Sequence, residues 1–428
     1  MNILMMTNTY KPFVGGVERS VEIFTEEYRN DGHRVIIVAP QFKGIPKDEF
    51  DVIRVPAIQN FNGTDFSVQL PIPGVLSRAL KGFQPDIVHA HHPYLLGDTA
   101  LRVAAKSGIP LVFTFHTFYE RYTHYVPGDS PLFKKFVIAL STGFANLCNK
   151  VFAPSESVAY ELRRRGVTAA IEIVPTGIDV DFFTAGDKSR WRQSAGIPSD
   201  AFVVGFVCRI APEKNMGFLA EAIARYLQIE EHAHFFLIGS GPSENEVREI
   251  LWQQGVGDRV HAFGVLRGKE LVDAYHAMDV FAFASHTETQ GMVVAEAMAA
   301  GVPVVALDAT GVREVVEDGE NGRLLDSEDR EAFSSALQWV AGMTGEKRAA
   351  LKENALNTAR RFSKQRCASR ALNHYRHLLD NGFVYEKAED KPLDEIRRVI
   401  KGEWDLIVAK TRATSEAVKS ILPNNTKE

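Results

Sequence analysis

The sequence predicts an α/β protein built on parallel β-sheets, and three observations support this class. Short apolar runs of strand length alternate with amphipathic stretches of helical length along most of the chain. Polar or glycine-rich loops follow several of the apolar runs, as they do at the carboxyl ends of strands in open parallel sheets. The chain has 428 residues, which is enough for two or three domains.

The composition is that of an ordinary globular protein and excludes several classes. Hydrophobic residues make up 45% of the chain and charged residues 24%. The net charge of −5 gives no overall attraction to nucleic acid or anionic lipid, so a nucleic-acid partner is not expected. The three cysteines have no metal-binding spacing and fit a reducing compartment without disulfides.

The N-terminus and the hydropathy pattern bear on the location of the protein. The first residues lack the basic start and the long apolar core of a signal peptide. No apolar run reaches the roughly 20 residues that a membrane-spanning helix needs. We therefore expect a cytoplasmic protein that is either soluble or peripheral on the inner face of the cell membrane.

The first predicted strand and the helix that begins at Val17 are separated by a loop containing Gly15 and Gly16. Glycines between a strand and a helix let a ligand approach the backbone, and a helix N-terminus favours negative charge. The alternative is a plain glycine-rich turn. Residues 111–115 predict a later strand, and His116 follows at its carboxyl end, where a structural role and a site role are both open.

Two features have a superficial likeness to metal sites, and neither is interpreted as one. His91 and His92 follow the predicted strand 86–90, but two adjacent histidines need further ligands to hold a metal, so we interpret them as loop residues. Asp179 and Asp181 form an Asp-x-Asp pattern with no further acidic or histidine ligand nearby.

Residues 118–136 mix aromatic and basic side chains. Such a mixture suits a membrane interface, where amphipathic rings and cations both find partners. The alternative is a surface helix whose apolar side packs on the core. The candidate residues for contact with an acceptor or a membrane are Tyr119, Arg121, Tyr122, His124, Lys134 and Lys135.

The second half of the chain begins with the predicted strand 202–207, and two cations follow it closely. Arg209 and Lys214 precede the next predicted helix. A planar guanidinium and a compact ammonium at the end of a strand suit a diphosphate group. The alternative is an unrelated pair of surface cations. Residues 260–266 predict a further strand and loop.

The stretch from Asp279 to Glu314 predicts a strand, a polar loop, a helix and a second strand. Glu288 lies in the loop and Glu296 on the helix, in otherwise apolar sequence where an ionised carboxylate is costly without a polar partner. Eight helical residues rise about 12 Å, too far for the paired carboxyls of a glycosidase. Two contacts on one long ligand fit better. The alternative is a capping carboxylate and a core-edge glutamate satisfied by backbone.

The segment ETQGMVVAEA, from Glu288 to Ala297, is followed by AAGVPVV and resembles the Glu-x7-Glu signature of family 4 retaining glycosyltransferases. The resemblance covers nearly the whole chain and ends near residue 382. It implies the GT-B fold, in which two Rossmann-like domains face each other across a cleft. The implied segments are an N-terminal acceptor-side domain, a C-terminal nucleotide-sugar domain, a helix crossing back to the first domain and a charged helical tail, at residues 1–176, 177–362, 363–382 and 383–428.

The resemblance also implies roles for the candidate residues. Arg209 and Lys214 would bind the diphosphate of the donor. Glu288 would hold a sugar hydroxyl, Glu296 the ribose hydroxyls, and His116 would lie near the donor sugar. The implied catalytic residues are His116, Glu288, Arg209 and Lys214. No metal and no cofactor are required, since the nucleotide diphosphosugar is a co-substrate. The further implied donor-binding residues are Gly15, Gly16, Val265, Leu266, Gln290, Gly291, Met292 and Val293.

The run HTFYERYTHYVP, together with the ETQG version of the glutamate loop, looks like the bacterial diacylglycerol glucosyltransferases. This likeness implies transfer of a hexose, glucose from UDP-glucose, to a lipid acceptor such as diacylglycerol. Three alternatives remain open at this point. They are a soluble sugar or polysaccharide acceptor, a GT-B epimerase acting on the sugar nucleotide, and a non-catalytic nucleotide-binding protein.

Overall fold

The structure is a computed structural model, and it describes residues 1–13, 15–58, 68–69, 75–123, 130–380, 401, 405–406 and 408–414. The chain divides into two compact units. The first unit comprises Met1–Thr176 with Cys367–Glu428, and the second comprises Gly177–Arg366. Each unit contains a parallel sheet with helices between most successive strands, so the predicted α/β class is confirmed.

The first unit is built on a parallel sheet of seven strands, in the order β3-β2-β1-β6-β7-β8-β9. The order reverses between β1 and β6, which pair directly. A separate antiparallel pair, β4 and β5, lies outside this sheet. The strands are β1 Asn2–Met6, β2 Arg34–Pro40, β3 Val52–Val55, β4 Ala57–Ile58, β5 Val68–Gln69, β6 Ile87–Ala90, β7 Leu111–Thr114, β8 Lys150–Ala153 and β9 Ile171–Ile173.

The second unit is built on a parallel sheet of six strands, in the order β12-β11-β10-β13-β14-β15. Its order reverses between β10 and β13, which also pair directly. The strands are β10 Phe202–Val207, β11 Ala233–Ile238, β12 Val260–Gly264, β13 Val280–Phe283, β14 Val304–Leu307 and β15 Gly322–Leu325.

The helices cover both sheets, which explains why the central strands are buried along their length and mostly apolar, without a regular alternation of apolar and polar residues. Ser155 caps the helix that begins at Glu156, since its side chain accepts a hydrogen bond from Val158 N. The helices are α1 Gly16–Asn30, α2 Val75–Ala79, α3 Leu96–Ser107, α4 Pro131–Leu147, α5 Glu156–Arg164, α6 Val180–Thr184, α7 Lys188–Ser194, α8 Met216–Ile229, α9 Glu244–Gln253, α10 Gly268–Ala277, α11 Met292–Ala299, α12 Arg330–Ala341, α13 Gly345–Arg361 and α14 Lys364–Asp380.

One helix begins earlier than the sequence predicts. The apolar pattern places its start at Leu101, whereas α3 begins at Leu96. The Oδ1 atom of Asn8 accepts a hydrogen bond from Leu96 N at 3.0 Å and satisfies a donor at the helix N-terminus. The residue that caps this end lies 88 positions away, so no local pattern could have shown it.

The end of the chain docks on the first unit through the part of it that the structure describes. Residues 405–406 and 408–414 are helical, and Leu406 and Ala413 are buried. The Cβ of Ala409 lies next to Gly143 of α4. Lys410 Nζ pairs with Asp98 Oδ2 of α3 at 2.5 Å. The sequence leaves open docking, pairing with another chain and contact with lipid, and these contacts are those of docking.

A buried carboxylate ties together four segments of the second unit. Asp279, at 5% exposure, accepts hydrogen bonds from Lys188, Arg192 and Arg348 at 2.6–2.8 Å and from Val203 N at 2.9 Å. Burial alone would raise the pKa of this carboxyl. The ion pairs with Lys188 and Arg192 outweigh burial and hold the pKa below its ordinary value of 3.8.

We expect Asp279→Asn to lower the free energy of unfolding of the second unit by about 3 kcal/mol, because it leaves the buried guanidinium of Arg192 without its countercharge. Urea unfolding at neutral pH, followed by tryptophan fluorescence, measures this loss, since three of the four tryptophans lie in this unit. A depressed pKa stabilises above the unfolded pKa of about 3.9. The gap between wild type and variant should therefore shrink as the pH falls through the folded-state pKa.

The matched control is Asp308→Asn, which removes the carboxylate of a partly exposed pair with Arg313. Exposed ion pairs contribute little, so a change under about 1 kcal/mol is expected for the control. Equal losses in both variants, or a gap that widens in acid, would contradict the role given to Asp279.

Candidate active site

The loops that leave β10 and β13 bring the predicted donor-binding residues of the second unit together. Arg209 and Lys214 follow β10, and Glu288 follows β13. These strands are neighbours at the point where the strand order reverses, which is where open α/β sheets bind their ligands. The two loops are also joined to each other, since Ser285 Oγ and Thr287 Oγ1 donate hydrogen bonds to the Glu213 carbonyl at 3.4 and 3.3 Å.

Lys214 and Glu288 form an ion pair with 2.5 Å between Nζ and Oε1. The two side chains are only 11% and 15% exposed. A 3₁₀ turn over Pro212–Lys214 and a left-handed Asn215, with φ of 55°, aim the lysine at this position. A cation and a carboxylate are thus held one hydrogen bond apart at the edge of the sheet, although the sequence predicts separate ligand contacts for them.

Glu296 lies on the open face of α11. Most of this helix is buried, and Met292, Val293 and Glu296 share its half-buried side. Glu296 Oε2 accepts a hydrogen bond from the hydroxyl of Tyr275 at 3.0 Å. Tyr275 belongs to α10 and is fully buried, so it holds one oxygen of the carboxylate in place. The sequence analysis did not identify this tyrosine.

The start of α11 has a backbone that only glycine suits well. Gly291 precedes the helix with φ of 70°, in the left-handed region. Gly311, with φ of 79°, approaches so closely that a Cβ there would lie 2.4 Å from Gln290 N. The loop after β14 therefore fixes the backbone at Gln290, which is itself buried.

The remaining predicted donor-binding residues of this unit lie at the same edge of the sheet. Arg209 is exposed next to Cys208, and burial raises the pKa of that thiol to about 11. Val265 and Leu266 follow the edge strand β12, which is two strands away from β10. Val265 is 55% exposed, and Leu266 packs partly on the core.

In the first unit, four histidines form a cluster at the carboxyl ends of β6 and β7, in which His89, His91 and His92 are buried and His116 is half-buried. His89, His91 and His92 come from β6 and the loop after it, and His116 comes from the loop after β7. His91 Nδ1 and His116 Nε2 lie 2.9 Å apart, with the rings stacked. His92 Nδ1 accepts from Asn8 N at 3.1 Å, joining the loops after β1 and β6 at the reversal of strand order.

Burial keeps these histidines neutral. It lowers the pKa of His116 to about 3 and that of His92 to about 3, because the charged imidazolium would lose its hydration. The sequence analysis interprets His91 and His92 as loop residues. They do lie in a loop, but they are buried at 0% and 6% exposure, and the adjacent strand ends were the available signal that they meet His116.

The glycine pair lies at the start of α1. Gly15 is extended, with φ of −161°, and occupies the N-cap position without a side-chain cap. Among the described residues, no atom lies within 4 Å of the position that a Cβ on Gly16 would occupy. The backbone is therefore accessible there, as the sequence predicts for a loop that a ligand approaches.

The aromatic and basic stretch is partly core and partly surface. Phe118 is buried, and Arg121 lies over its ring at 4.9 Å. Tyr119 packs against Tyr94, with 5.3 Å between ring centroids, and Tyr122 is half-buried. His124 lies outside the described residues. This part of the stretch fits the alternative in which aromatic side chains pack on the core.

Helix α4 presents the rest of the stretch. It packs inward through Ser141, Phe144 and Ala145. Its first turns carry exposed Lys134 and Lys135 beside half-buried apolar side chains, which are Leu132, Phe133, Phe136 and Val137. In the part of the chain that the structure describes, no helix is both long and apolar enough to cross a bilayer.

The Asp-x-Asp segment has a structural role. Asp179 Oδ1 accepts from Phe182 N at 3.1 Å and so caps α6, and its Oδ2 pairs with Lys364 Nζ at 2.9 Å. Within residues 1–13, 15–58, 75–123 and 130–380, no group of three or more His, Cys, Asp or Glu side chains is arranged to hold a metal ion.

Comparison with known proteins identifies the family. Residues 14–182 match the family described as Glycosyltransferase Family 4, and residues 187–358 match Glycosyl transferases group 1. The chain is 30% identical over 339 residues to the alpha-monoglucosyldiacylglycerol synthase of Acholeplasma laidlawii, across 75% of this chain and 84% of that protein. The chain belongs to glycosyltransferase family 4.

Two further comparisons give a second sequence relative and a structural match. The chain is 28% identical to the GDP-mannose-dependent alpha-mannosyltransferase of Corynebacterium glutamicum, over 79% of this chain and 80% of that protein. The glycosyltransferase also superposes on Anabaena HepE in complex with UDP-glucose, with a TM-score of 0.66 and 23% identity over 87% of this chain and 100% of that chain. The predicted GT-B fold is thereby confirmed.

We expect Tyr275→Phe to raise the KM for the sugar nucleotide about fivefold and to leave kcat nearly unchanged. The variant removes one hydroxyl, so Glu296 loses a hydrogen bond that orients it, at a cost of about 1 kcal/mol. Steady-state kinetics at saturating acceptor measure both constants. Tyr226→Phe is the matched control, because Tyr226 is a buried tyrosine of α8 whose hydroxyl has no partner among the described residues. Equal kinetics for the two variants would contradict the role of Tyr275.

Proposed function

We propose that this glycosyltransferase transfers a hexosyl group, glucose from UDP-glucose, with retention of configuration to a lipid acceptor such as diacylglycerol. One observation carries the proposal. A lysine and a glutamate meet at the reversal of strand order in the second unit, Lys214 after β10 and Glu288 after β13. A sugar nucleotide offers a partner to each of them, since its diphosphate is anionic and its sugar carries hydroxyls.

The ion pair also suggests how the charges of this site are stabilised before the donor binds. A partly buried charge is costly without a countercharge, and Lys214 and Glu288 neutralise each other. When donor binds, phosphate oxygens replace Glu288 as the partner of Lys214. Glu288 is then released to accept hydrogen bonds from sugar hydroxyls, which orients the ring. Donor binding thus replaces the ion pair between Lys214 and Glu288 with contacts from each of them to the donor.

The reaction breaks the bond between the anomeric carbon and the diphosphate oxygen, and forms a bond from that carbon to the acceptor oxygen on the same face. The proton of the acceptor hydroxyl passes to the departing diphosphate oxygen. The barrier lies in separating a sugar cation from a diphosphate anion, and fixed positive groups around the phosphate lower it. We assign this stabilisation to Arg209, Lys214 and the backbone near Gly291.

The other predicted residues take up the rest of the donor. Glu296 holds the ribose hydroxyls, and His116 contacts the donor sugar or phosphate. Gly16 gives the diphosphate access to backbone, and Val265 with Leu266 frames the base. The scheme needs neither a metal nor a cofactor, and we expect activity to persist in the presence of a chelator.

The choice of donor and acceptor draws on the relatives. The Acholeplasma laidlawii relative is named for glucosyldiacylglycerol synthesis, which favours glucose and a lipid. The Corynebacterium glutamicum relative is named for GDP-mannose, which makes mannosyl transfer the second candidate. An activity screen that crosses UDP-glucose and GDP-mannose with detergent-dispersed diacylglycerol and soluble sugars separates them. Product formed from the sugar nucleotide without acceptor would instead indicate an epimerase.

We expect Lys214→Ala and Glu288→Gln each to lower kcat/KM at least about hundredfold, since each removes a charged contact to the donor in a largely buried site. Lys269→Ala is the matched control, because Lys269 is exposed and its partner Asp273, at 3.0 Å, keeps a hydrogen bond from Asp187 N in the variant. Its activity should stay within about twofold of wild type. Unchanged activity in both site variants would favour a non-catalytic nucleotide-binding protein.

A lipid acceptor predicts that α4 contributes to membrane binding. We expect Lys134→Ser with Lys135→Ser to lower the binding constant for anionic vesicles, measured by co-sedimentation, by about thirtyfold, because each lysine near an anionic surface contributes roughly 1 kcal/mol. Lys43→Ser with Lys47→Ser removes the same charge from another exposed part of the first unit and is the control. Equal recovery of both double variants in the supernatant would contradict a contribution of α4 to membrane binding.

A further inference from the structure

The first unit contains a pair of histidines, His91 and His116. The proposed function gives a role to His116 and none to His91. The two histidines lie in the loops that follow the neighbouring strands β6 and β7. Their rings stack with 5.2 Å between centroids and an interplanar angle of 16°, and Nδ1 of His91 lies 2.9 Å from Nε2 of His116. His91 is completely buried, so its Nδ1 atom is shielded from water and His116 is the partner of this nitrogen.

The hydrogen bond links the protonation of the two rings. Burial lowers the pKa of His116 to about 3 and that of His91 well below its ordinary value, so both rings are neutral at physiological pH. A neutral imidazole carries one N–H donor and one bare acceptor nitrogen. One ring must therefore donate and the other accept, and the tautomer of His91 determines that of His116.

The other nitrogen of His91 indicates the direction of the bond. Its Nε2 is buried and has no hydrogen-bond partner among the described residues. If His116 donated, His91 Nε2 would carry a buried N–H with no acceptor. If His91 Nδ1 donates, Nε2 is a bare acceptor without a donor. Buried N–H groups are left unpaired more rarely than buried acceptors, so the second arrangement is favoured. His116 then accepts at Nε2 and carries its hydrogen on Nδ1.

We propose that His91 is a positioning residue that holds His116 as the neutral Nδ1–H tautomer, so that His116 donates a hydrogen bond to an oxygen of the donor substrate. The tautomer follows from the first unit alone, whereas the contact with substrate rests on the proposed function. A neutral donor stabilises an oxygen that gains negative charge as the diphosphate leaves, and it does not act as a competing base.

The surroundings of His91 keep its ring in this orientation. The ring of His89 lies 4.3 Å away, between centroids, on the same strand. His89 is itself fixed at both nitrogens, by Tyr375 Oη at 2.6 Å and Thr114 Oγ1 at 2.7 Å. Tyr375 lies on α14, so a helix from late in the chain contributes to the packing around His91.

The experiment compares His91→Asn, His91→Phe and wild type. The amide nitrogen of asparagine can replace Nδ1–H as a donor, whereas phenylalanine keeps a flat ring without any donor. His234→Phe is the matched control, since it breaks a His–His hydrogen bond of 3.0 Å, to His261 in the second unit. Nitrogen NMR of protein labelled at histidine distinguishes protonated from bare ring nitrogens, and His116→Gln assigns the His116 signals.

We expect wild type and His91→Asn to show a hydrogen on His116 Nδ1, and His91→Phe to lose this single tautomer. We also expect kcat/KM to fall about tenfold in His91→Phe, the equivalent of one ordinary hydrogen bond, and to stay near wild type in His91→Asn and His234→Phe. A hydrogen on His116 Nε2 in wild type, or an unchanged tautomer in His91→Phe, overturns the proposal. Full activity of His116→Gln would overturn the contact between His116 and the substrate. This outcome is independent of the tautomer, which the NMR measurement tests separately.

Discussion

The ion pair between Lys214 and Glu288 is the interaction on which the arrangement of the second unit's site depends. Opposite charges that are mostly removed from water must be held close together, or burial would be too costly. This requirement brings the loops after β10 and β13 into register, and the hydroxyls of Ser285 and Thr287 join the same loops through the backbone. The loops of the proposed donor site are therefore held in place by the protein's own contacts.

The first unit also has polar side chains at the carboxyl ends of its strands, but these side chains are uncharged. Its four clustered histidines are neutral and largely buried, with His116 half-buried, and they bond to each other, to backbone and to hydroxyl groups. Neutral imidazoles lose less hydration on burial than ions do. Their charge does not change across the physiological pH range, since burial lowers the pKa values of His92 and His116 to about 3. One unit thus offers paired charges and the other offers fixed dipoles.

Local pattern was sufficient to predict the fold class, the order of most strands and helices, and the loops that carry Lys214 and Glu288. These features depend on apolar periodicity and on the rule that parallel sheets carry their polar loops at one edge. The partners of the side chains were not predictable in the same way. Tyr275 meets Glu296, and Asn8 caps α3, through contacts between distant parts of the sequence. Such contacts depend on packing, which no single segment encodes.

The first unit is assembled from both ends of the chain, with the whole second unit between them in sequence. Tyr375 and Lys410 provide partners for His89 and for the buried Asp98, residues that the ribosome makes about 290 to 310 codons earlier. During translation, the second unit has all of its own strands before the first unit has its last helix. Until its last helices are made, the nascent first unit therefore has a carboxylate without its partner and an uncovered apolar face. Chaperones can bind this exposed surface during that time.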